Sequence, residues 1–461
     1  MKTLEFIDVT IRDAPQSLWA TRITNEMILP FAPRMDQMGL YAIDIVGGAV
    51  FDVCVRFLHE DPWERMALLR HAIPTTPLNV WLRGQSLFTF ELFPDEVVEL
   101  TIKRIAAKGV DRLTTFDPLN DLRNVELSIR VAKGLGLRVT VALAYTLSPV
   151  HTDAYFQERA RQLVAMGIDE LLLKDATGVL TPERTRTLIP ALVEATGGRV
   201  PLQLHSHCRA GLAPQCYLEA IPRGVSIVHT ASRPLAHGAS LPPTEYVNTH
   251  AKRMGYLTRL DERSLADMAE YFTGVARRHG KPLGEPVEYD PRLYEHQIPG
   301  GMISNLMNQL VAAGISDKFE AILEETARVR CDLGYPVIVS PFAQFVVTQA
   351  TLNVIQGERY KMIPDEIRKY ALGRYGTPAG PLDPEFVDRA TGGAQPVTER
   401  PGALLDPVLD HVRTSRGPFS SEDDLLLAVI YSDDVLEPLF RARSRGVTTI
   451  PSLRPTQPSP V

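Results

Sequence analysis

The sequence predicts an α/β protein: a closed eight-stranded barrel followed by a mainly α-helical domain. Three observations predict it. Strand-like apolar runs and helix-like amphipathic runs alternate from residue 3 to about residue 250. The strand-like runs number eight. Beyond about residue 260 the strand signal stops and helical periodicity takes over. Alternation of this kind builds βα units and a parallel sheet. Eight units in roughly 250 residues is the usual size of a (β/α)8, or TIM, barrel.

The strands are expected at 3–9, 40–46, 77–82, 111–116, 137–143, 168–174, 200–206 and 225–230. Between them, 95–108 carries apolar residues at three- and four-residue spacing, with Pro94-Asp95 as a start and Gly109 as a stop. Thr181-Pro182-Glu183 reads as a capping residue followed by a first-turn proline. Past the barrel, 262–279, 302–331, 341–356 and 364–373 read as helical. The stretch 376–403 is rich in Gly, Pro and Thr and reads as a linking segment, and 404–447 as two or three short helices. The tail 451–461 holds four prolines and is expected to be disordered. The expected division is a barrel at 1–260, a helical domain at 261–450 and the tail.

Composition narrows the class. Of 461 residues, 44% are hydrophobic and 23% charged, as in an ordinary globular protein. The net charge of −6 gives no basic bias toward nucleic acid or an anionic membrane. Cys54, Cys208, Cys216 and Cys331 form no Cys-x-x-Cys pair, which suits a reducing cytoplasm. No run approaches the ~18 apolar residues of a membrane span, and no basic-plus-apolar leader is seen. A cytosolic setting is expected.

The chemistry starts at Leu202-Gln203-Leu204-His205-Ser206-His207. Side chains alternate along a strand, so His205 and His207 project from one face. Two further apolar runs end in polar residues, at Asp13 and at Lys174. If all are strands of one barrel, these residues can meet at its C-terminal mouth. Carboxylate oxygen and imidazole nitrogen are ligands for a divalent cation. A lysine joins such a set only as an anion, for example as a carbamate formed with CO2. Read alone, Lys174 is a surface or salt-bridging lysine, and His-x-His is an accidental pair.

The ordered motifs resemble the carboxyltransferase component of biotin-dependent enzymes: pyruvate carboxylase, the oxaloacetate decarboxylase alpha subunit and transcarboxylase. The likeness runs from about residue 3 to 380. It rests on Arg12-Asp13-Ala14-x-Gln16-Ser17-Leu18, on Gly47-Gly48-Ala49-x-Phe51-Asp52 and on Arg56-Phe57-Leu58-x-Glu60-Asp61-Pro62-Trp63. It continues through Leu82-Arg83-Gly84, Phe116-Asp117-x-Leu119-Asn120-Asp121 and Lys174-Asp175. Beyond the barrel come Tyr294-Glu295-His296-Gln297-Ile298-Pro299-Gly300-Gly301 and Leu333-Gly334-Tyr335-Pro336-x-x-Val339-Ser340-Pro341.

The resemblance implies a divalent metal held by Asp13, carbamylated Lys174, His205 and His207. It implies that Gln16 and Arg83 hold the acceptor, and that Ser340 stands where a proton-shuttling hydroxyl, usually threonine, is found. Physical chemistry agrees: carboxylation beside a carbonyl needs an enolate, and a cation with a guanidinium stabilises its charge. Plainer roles are also open. Arg83 can be a rim salt bridge, and Ser340-Pro341 a helix start. Cys208 faces away from His207 on a strand and is discounted as a ligand, while Trp19 and Trp63 read as packing.

The departures concern the surroundings. Pro15 replaces a usual histidine, Asp44 and Val46 a glutamate and a tryptophan. Cys208-Arg209-Ala210-Gly211 replaces a Thr/Ser-rich segment, His229-Thr230-Ala231-Ser232-Arg233 an Asp-Thr-Ala run, and Ala239 and Leu241 stand at commonly polar positions. Arg209 and Arg233 are therefore expected to bind substrate at the mouth, favouring an acceptor larger or more anionic than pyruvate. The alternative is that both are solvated rim residues.

Neither an Ala-Met-Lys-Met biotin-attachment motif nor a Gly-rich ATP-grasp segment is found. A separate biotin carboxyl carrier protein and a biotin carboxylase subunit are the expected partners, with a carbonyl acid as acceptor and a homodimer or larger oligomer as the assembly. Two alternatives stand beside this reading. One is a biotin-independent carbon–carbon lyase or condensing enzyme of the same barrel group; the other is a non-catalytic scaffold subunit. Zinc, manganese, cobalt and magnesium all suit mixed N/O ligands.

Overall fold

The computed structural model describes residues 2–298 and 300–445, without the side chains of 300, 301, 304 and 305. The expected tail at 451–461 lies outside the described residues, as does Pro299 of the resemblance motif.

Eight strands form the predicted barrel: β1 (Glu5–Asp8), β2 (Ala42–Val46), β3 (Leu78–Leu82), β4 (Arg112–Thr115), β5 (Arg138–Ala144), β6 (Glu170–Asp175), β7 (Leu202–Ser206) and β8 (Val225–Thr230). They run in sequence order, and β1 closes on β8 in parallel from Glu5↔Ile227 to Asp8↔Thr230. The register sets the site. On the β6–β7 ladder, Lys174 pairs with His205 and Leu172 with Gln203. Paired residues of a parallel ladder share a face, so Lys174 and His205 stand side by side on the inner face.

The barrel interior is packed rather than open. Ile7, Ala42 and Ile227 make one apolar cluster, and Trp81, Phe116, Ala142 and Leu172 another. Buried polar side chains share this interior: Asp44, Asn79, Thr114, Thr140, Glu170, Gln203 and His229. Isolated buried polar groups cost stability, so they must satisfy one another.

Local chemistry starts the surrounding helices where it was read. The helix Asp95–Ala107 stops before Gly109, whose φ of +79° suits only glycine comfortably. Thr181 caps the helix Pro182–Ala195 by accepting from the Arg184 amide at 3.1 Å. Helices Glu262–Arg278, Phe342–Gln356 and Asp365–Ala371 also match their expected spans.

Two segments differ from expectation. The helical stretch expected over 302–331 is two helices, Gly300–Ala312 and Phe319–Asp332. Gly314 at φ +70° turns the chain between them. The segment expected to be linking at 376–403 contains a helix, Pro384–Thr391, capped by Asp383 accepting from the Phe386 amide at 2.9 Å.

Hydrophobic packing groups the later helices by contact rather than by order. Leu265, Met268 and Phe272 of Glu262–Arg278 join the barrel's own core. So do Leu409, Leu425, Leu426, Leu436 and Leu439 from the last three described helices, Leu409–Arg416, Glu422–Ile430 and Asp433–Ser444. Val329, Leu333, Ile338, Phe342, Val346, Ile367, Tyr370 and Phe386 form a separate core with Leu119 of the barrel. Among the described residues, no helix is long and apolar enough to cross a membrane.

Candidate active site

A cavity of about 880 Å³ opens at the C-terminal strand ends. Asp13, Gln16, Arg83, Lys174, His207, Arg209 and Ser340 all line it. Active sites of this barrel class sit at that end.

Asp13 begins the helix Asp13–Leu18 just after β1, and Ser17 donates to its Oδ1 at 3.2 Å. His205 and His207 are buried at the end of β7. The three offer ligand atoms within 4.8 Å of one another. His207 Nε2 lies 3.4 Å from Asp13 Oδ1, and His205 Nε2 lies 3.8 Å from Asp13 Oδ2. The two Nε2 atoms are 3.2 Å apart.

The protonation of these groups suits a cation. His207 Nδ1 lies 2.6 Å from the carbonyl oxygen of Ala239, which can only accept, so Nδ1 carries a hydrogen and the neutral form of the ring presents its lone pair on Nε2. Burial pushes His205 well below its ordinary range, and the charges around it push the same way, so the ring is neutral. Burial alone would raise Asp13, but the adjoining Arg12 guanidinium, then His207 and Lys174, draw it down to about 2. A carboxylate and two imidazoles, that of His205 neutral, thus converge in one buried place. The donor set fits a divalent ion of the N/O-preferring kind.

Lys174 stands beside His205 on the neighbouring strand. Its Nζ sits 4.3 Å from the centre of the Phe116 ring and 4.6 Å from that of Trp81. Among the described residues it forms no ion pair. Burial, then the nearby Arg12 charge, pulls its amine down to about 7, against an opposing pull from Asp13. A lysine with this pKa is substantially neutral near pH 7 and therefore nucleophilic.

Arg83 lies just past the end of β3, half-buried, with its guanidinium 4.9 Å from the centre of the Phe90 ring. One Nη donates to the carbonyl of Thr89, and Nε is buried without a partner. Among the described residues no carboxylate ion-pairs with it, so the rim salt-bridge alternative fails here. Burial draws its pKa down to about 10, only partly offset by Asp52. Gly48 makes room for it: a Cβ there would meet Nη2 at 2.9 Å. Gln16 is exposed to the cavity on the helix Asp13–Leu18.

Ser340 lines the same cavity, and Gln344 Nε2 donates to its Oγ at 3.1 Å. It does not cap the helix Phe342–Gln356, whose first flanking residue is Pro341 and which has no side-chain cap. The two arginines part company. Arg209 lines the cavity with Nε buried and unpartnered. Arg233 is exposed and lines a different cavity, beside Arg277 and Arg278. The expectation that both stand at the mouth is corrected: the turn Arg233–Leu235 after β8 carries Arg233 away from it.

Sequence reading assigned no role to the residues behind the cluster. Arg12 bridges Asp13 and Asp44, the latter at 2.7 Å, and stacks on Trp81 with its guanidinium 4.6 Å from the ring centre. Gln203 and His229 back His205 from within the barrel. A signal for Gln203 was present: it lies two residues before His205, a polar side chain on the same face of an apolar strand.

A closed parallel barrel that gathers an acid, a lysine and two histidines at one cavity is an enzyme of the (β/α)8 class. Comparison with known proteins gives the family. Residues 293–456 match the family described as "Conserved carboxylase domain". The chain is 43% identical over 434 residues to a pyruvate carboxylase subunit of Methanocaldococcus jannaschii, covering 93% of this chain and 76% of that protein. It is 36% identical to the 2-oxoglutarate carboxylase large subunit of Hydrogenobacter thermophilus, covering 96% and 69%. It is 34% identical to the methylmalonyl-CoA carboxyltransferase 5S subunit of Propionibacterium freudenreichii subsp. shermanii, covering 95% and 88%. The carboxyl transferase domain of Rhizobium etli pyruvate carboxylase, solved with pyruvate, superposes with a TM-score of 0.88 at 27% identity, covering 96% of this chain and 78% of that one. The chain belongs to the carboxyltransferase family of biotin-dependent carboxylases. The lyase and scaffold alternatives are not favoured.

Proposed function

We propose that this chain moves a carboxyl group between biotin on a separate carrier protein and a 2-oxo acid, using a divalent ion held by Asp13, His205, His207 and carbamylated Lys174. The carrying observation is the convergence of Asp13, His205 and His207 on one buried point. When bound, the ion supplies Lewis-acid polarisation of the acceptor's carbonyl. Zinc, manganese, cobalt and magnesium all suit the donors.

The chain's own residues do the rest. Neutral Nζ of Lys174 adds to CO2, forming an N–C bond and releasing one proton, and the resulting carbamate is the anion the ligand set needs. Among the described residues no carboxylate ion-pairs with Arg83, so the acceptor's carboxylate is its counter-ion. A guanidinium fork fixes that carboxylate by two parallel hydrogen bonds, and Gln16 holds the carbonyl. Ser340 Oγ accepts from Gln344, which leaves its own hydrogen free to be given. It passes that proton to the biotin nitrogen as the C–N bond of carboxybiotin breaks. It regains one from the acceptor carbon as the new C–C bond forms.

The relatives are named as subunits, which supports assembly with a biotin carboxyl carrier protein and a biotin carboxylase subunit. One relative's name specifies 2-oxoglutarate and another's pyruvate. Arg209 supports an acceptor with a second anionic group. The test is reconstitution with carrier, carboxylase, ATP and labelled bicarbonate, offering pyruvate, 2-oxoglutarate and an acyl-CoA in parallel. Label entering a 2-oxo acid is the expected result; no label in any acceptor contradicts the reading.

A further inference from the structure

Behind His205 runs a chain of hydrogen bonds whose direction is fixed from its far end. Glu170 on β6 is ion-paired with Arg112 and Arg138, and it also accepts from Tyr41 and Thr140. It is therefore an ionised carboxylate and can only accept. Gln203 reaches it, so the side of the amide facing Glu170 must be Nε2. The other side, Oε1, must then accept, and His229 Nε2 lies 2.8 Å from it. His229 thus carries its hydrogen on Nε2 and presents a bare Nδ1. That Nδ1 lies 3.4 Å from Nδ1 of His205.

A hydrogen bond between the two Nδ1 atoms can run only from His205 to His229; it leaves a lone pair on His205 Nε2 and uses the hydrogen that the 3.2 Å contact with His207 Nε2 would otherwise take. Asp44 Oδ2 offers no competing contact to His229, since it stands 3.9 Å from Nδ1 and accepts from Arg12 and Trp81. The four residues are buried and sit on three adjacent strands, so the order is built into the barrel itself.

We propose that His229, directed through Gln203 by Glu170, is a positioning residue that fixes the tautomer and ring orientation of His205. The inference rests on the metal-site reading above and adds to it a direction: the ring that faces Asp13 and His207 is preset before any ion arrives. Partners behind a ligating histidine commonly change metal affinity by 10- to 100-fold when removed.

The test has two arms. In metal-stripped wild type labelled with 15N-histidine, His205, assigned by its loss in His205→Ala, is expected to carry hydrogen on Nδ1 and His229 on Nε2. A hydrogen on Nε2 of His205 overturns the proposal, and this arm needs no variant at His229 to fold. In the second arm, Co2+ binding is measured by titration against a chelator. His229→Leu is expected to weaken it about 10- to 100-fold. His229→Asn, which can accept from His205 and donate to Gln203, is expected to recover part of that loss. Undiminished affinity in a folded His229→Leu protein overturns the proposal. Failure of wild type to bind Co2+, Zn2+ or Mn2+ would instead remove the metal-site reading, which the tautomer arm does not depend on.

Discussion

Nε2 of His205 lies 3.2 Å from Nε2 of His207. In the tautomers proposed above each nitrogen presents a lone pair there, and the Asp13 carboxylate stands 3.8 and 3.4 Å away. Three electron-rich atoms in a buried place repel one another unless a cation sits among them. His205→Ala/His207→Ala is expected to lose bound metal while keeping its fold. Elemental analysis of purified wild type and variant reads this directly, and stoichiometric metal in the variant would reject the site.

Lys174 is expected to carry a carbamate. Its Nζ has aromatic neighbours and no ion pair among the described residues. Lys174→Ala is expected to be inactive, whereas Lys174→Glu restores an anion and is expected to retain some metal. A high-resolution density map decides the modification; an unmodified lysine turned away from His205 would end the idea.

Ser340 is expected to matter for transfer and not for folding. Ser340→Ala removes a hydroxyl that caps no helix, so metal content and thermal stability should stay near wild type. Carboxyl transfer should fall by about 100-fold or more, the range for loss of a positioned proton carrier. Full activity would leave Ser340 as a simple cavity residue.

Arg209 and Arg233 are expected to behave differently. A charge-assisted contact to an acceptor's second anionic group is worth about 1.5–3 kcal/mol, or roughly tenfold to a hundredfold in preference. Arg209→Ala should therefore lower kcat/KM for 2-oxoglutarate relative to pyruvate by about that factor. Arg233→Ala, in its separate exposed cavity, should leave the ratio unchanged. Equal ratios in both variants would assign Arg209 to the solvated rim.

Much of this was legible in periodicity. Apolar runs alternating with helical patterns revealed the eight strands, and the strand period of two placed His205 and His207 on one face. It carried Gln203 as well, but a lone glutamine in an apolar run gives no sign of what it backs until Glu170 and His229 are brought beside it by the barrel. Loops have no period. Arg209 and Arg233 follow adjacent strands in similar ways, yet a turn of a few residues sends one into the cavity and the other out. Contacts distant in sequence were hidden too: Leu426 and Leu439 return to the barrel's core, which no local pattern encodes. The break at Gly314 is local, and the helical reading of 302–331 ran across it.

The most direct test of the central claim uses the isolated chain. Oxaloacetate and free biotin are supplied without carrier, ATP or bicarbonate, and pyruvate release is followed with and without biotin. Wild type is expected to release pyruvate faster when biotin is present to receive the carboxyl group, and His205→Ala/His207→Ala is expected to lose that biotin-dependent rate. A metal-loaded wild type whose rate is unmoved by biotin, with oxaloacetate and with its larger 2-oxo dicarboxylate and tricarboxylate analogues, would contradict carboxyl transfer at this site.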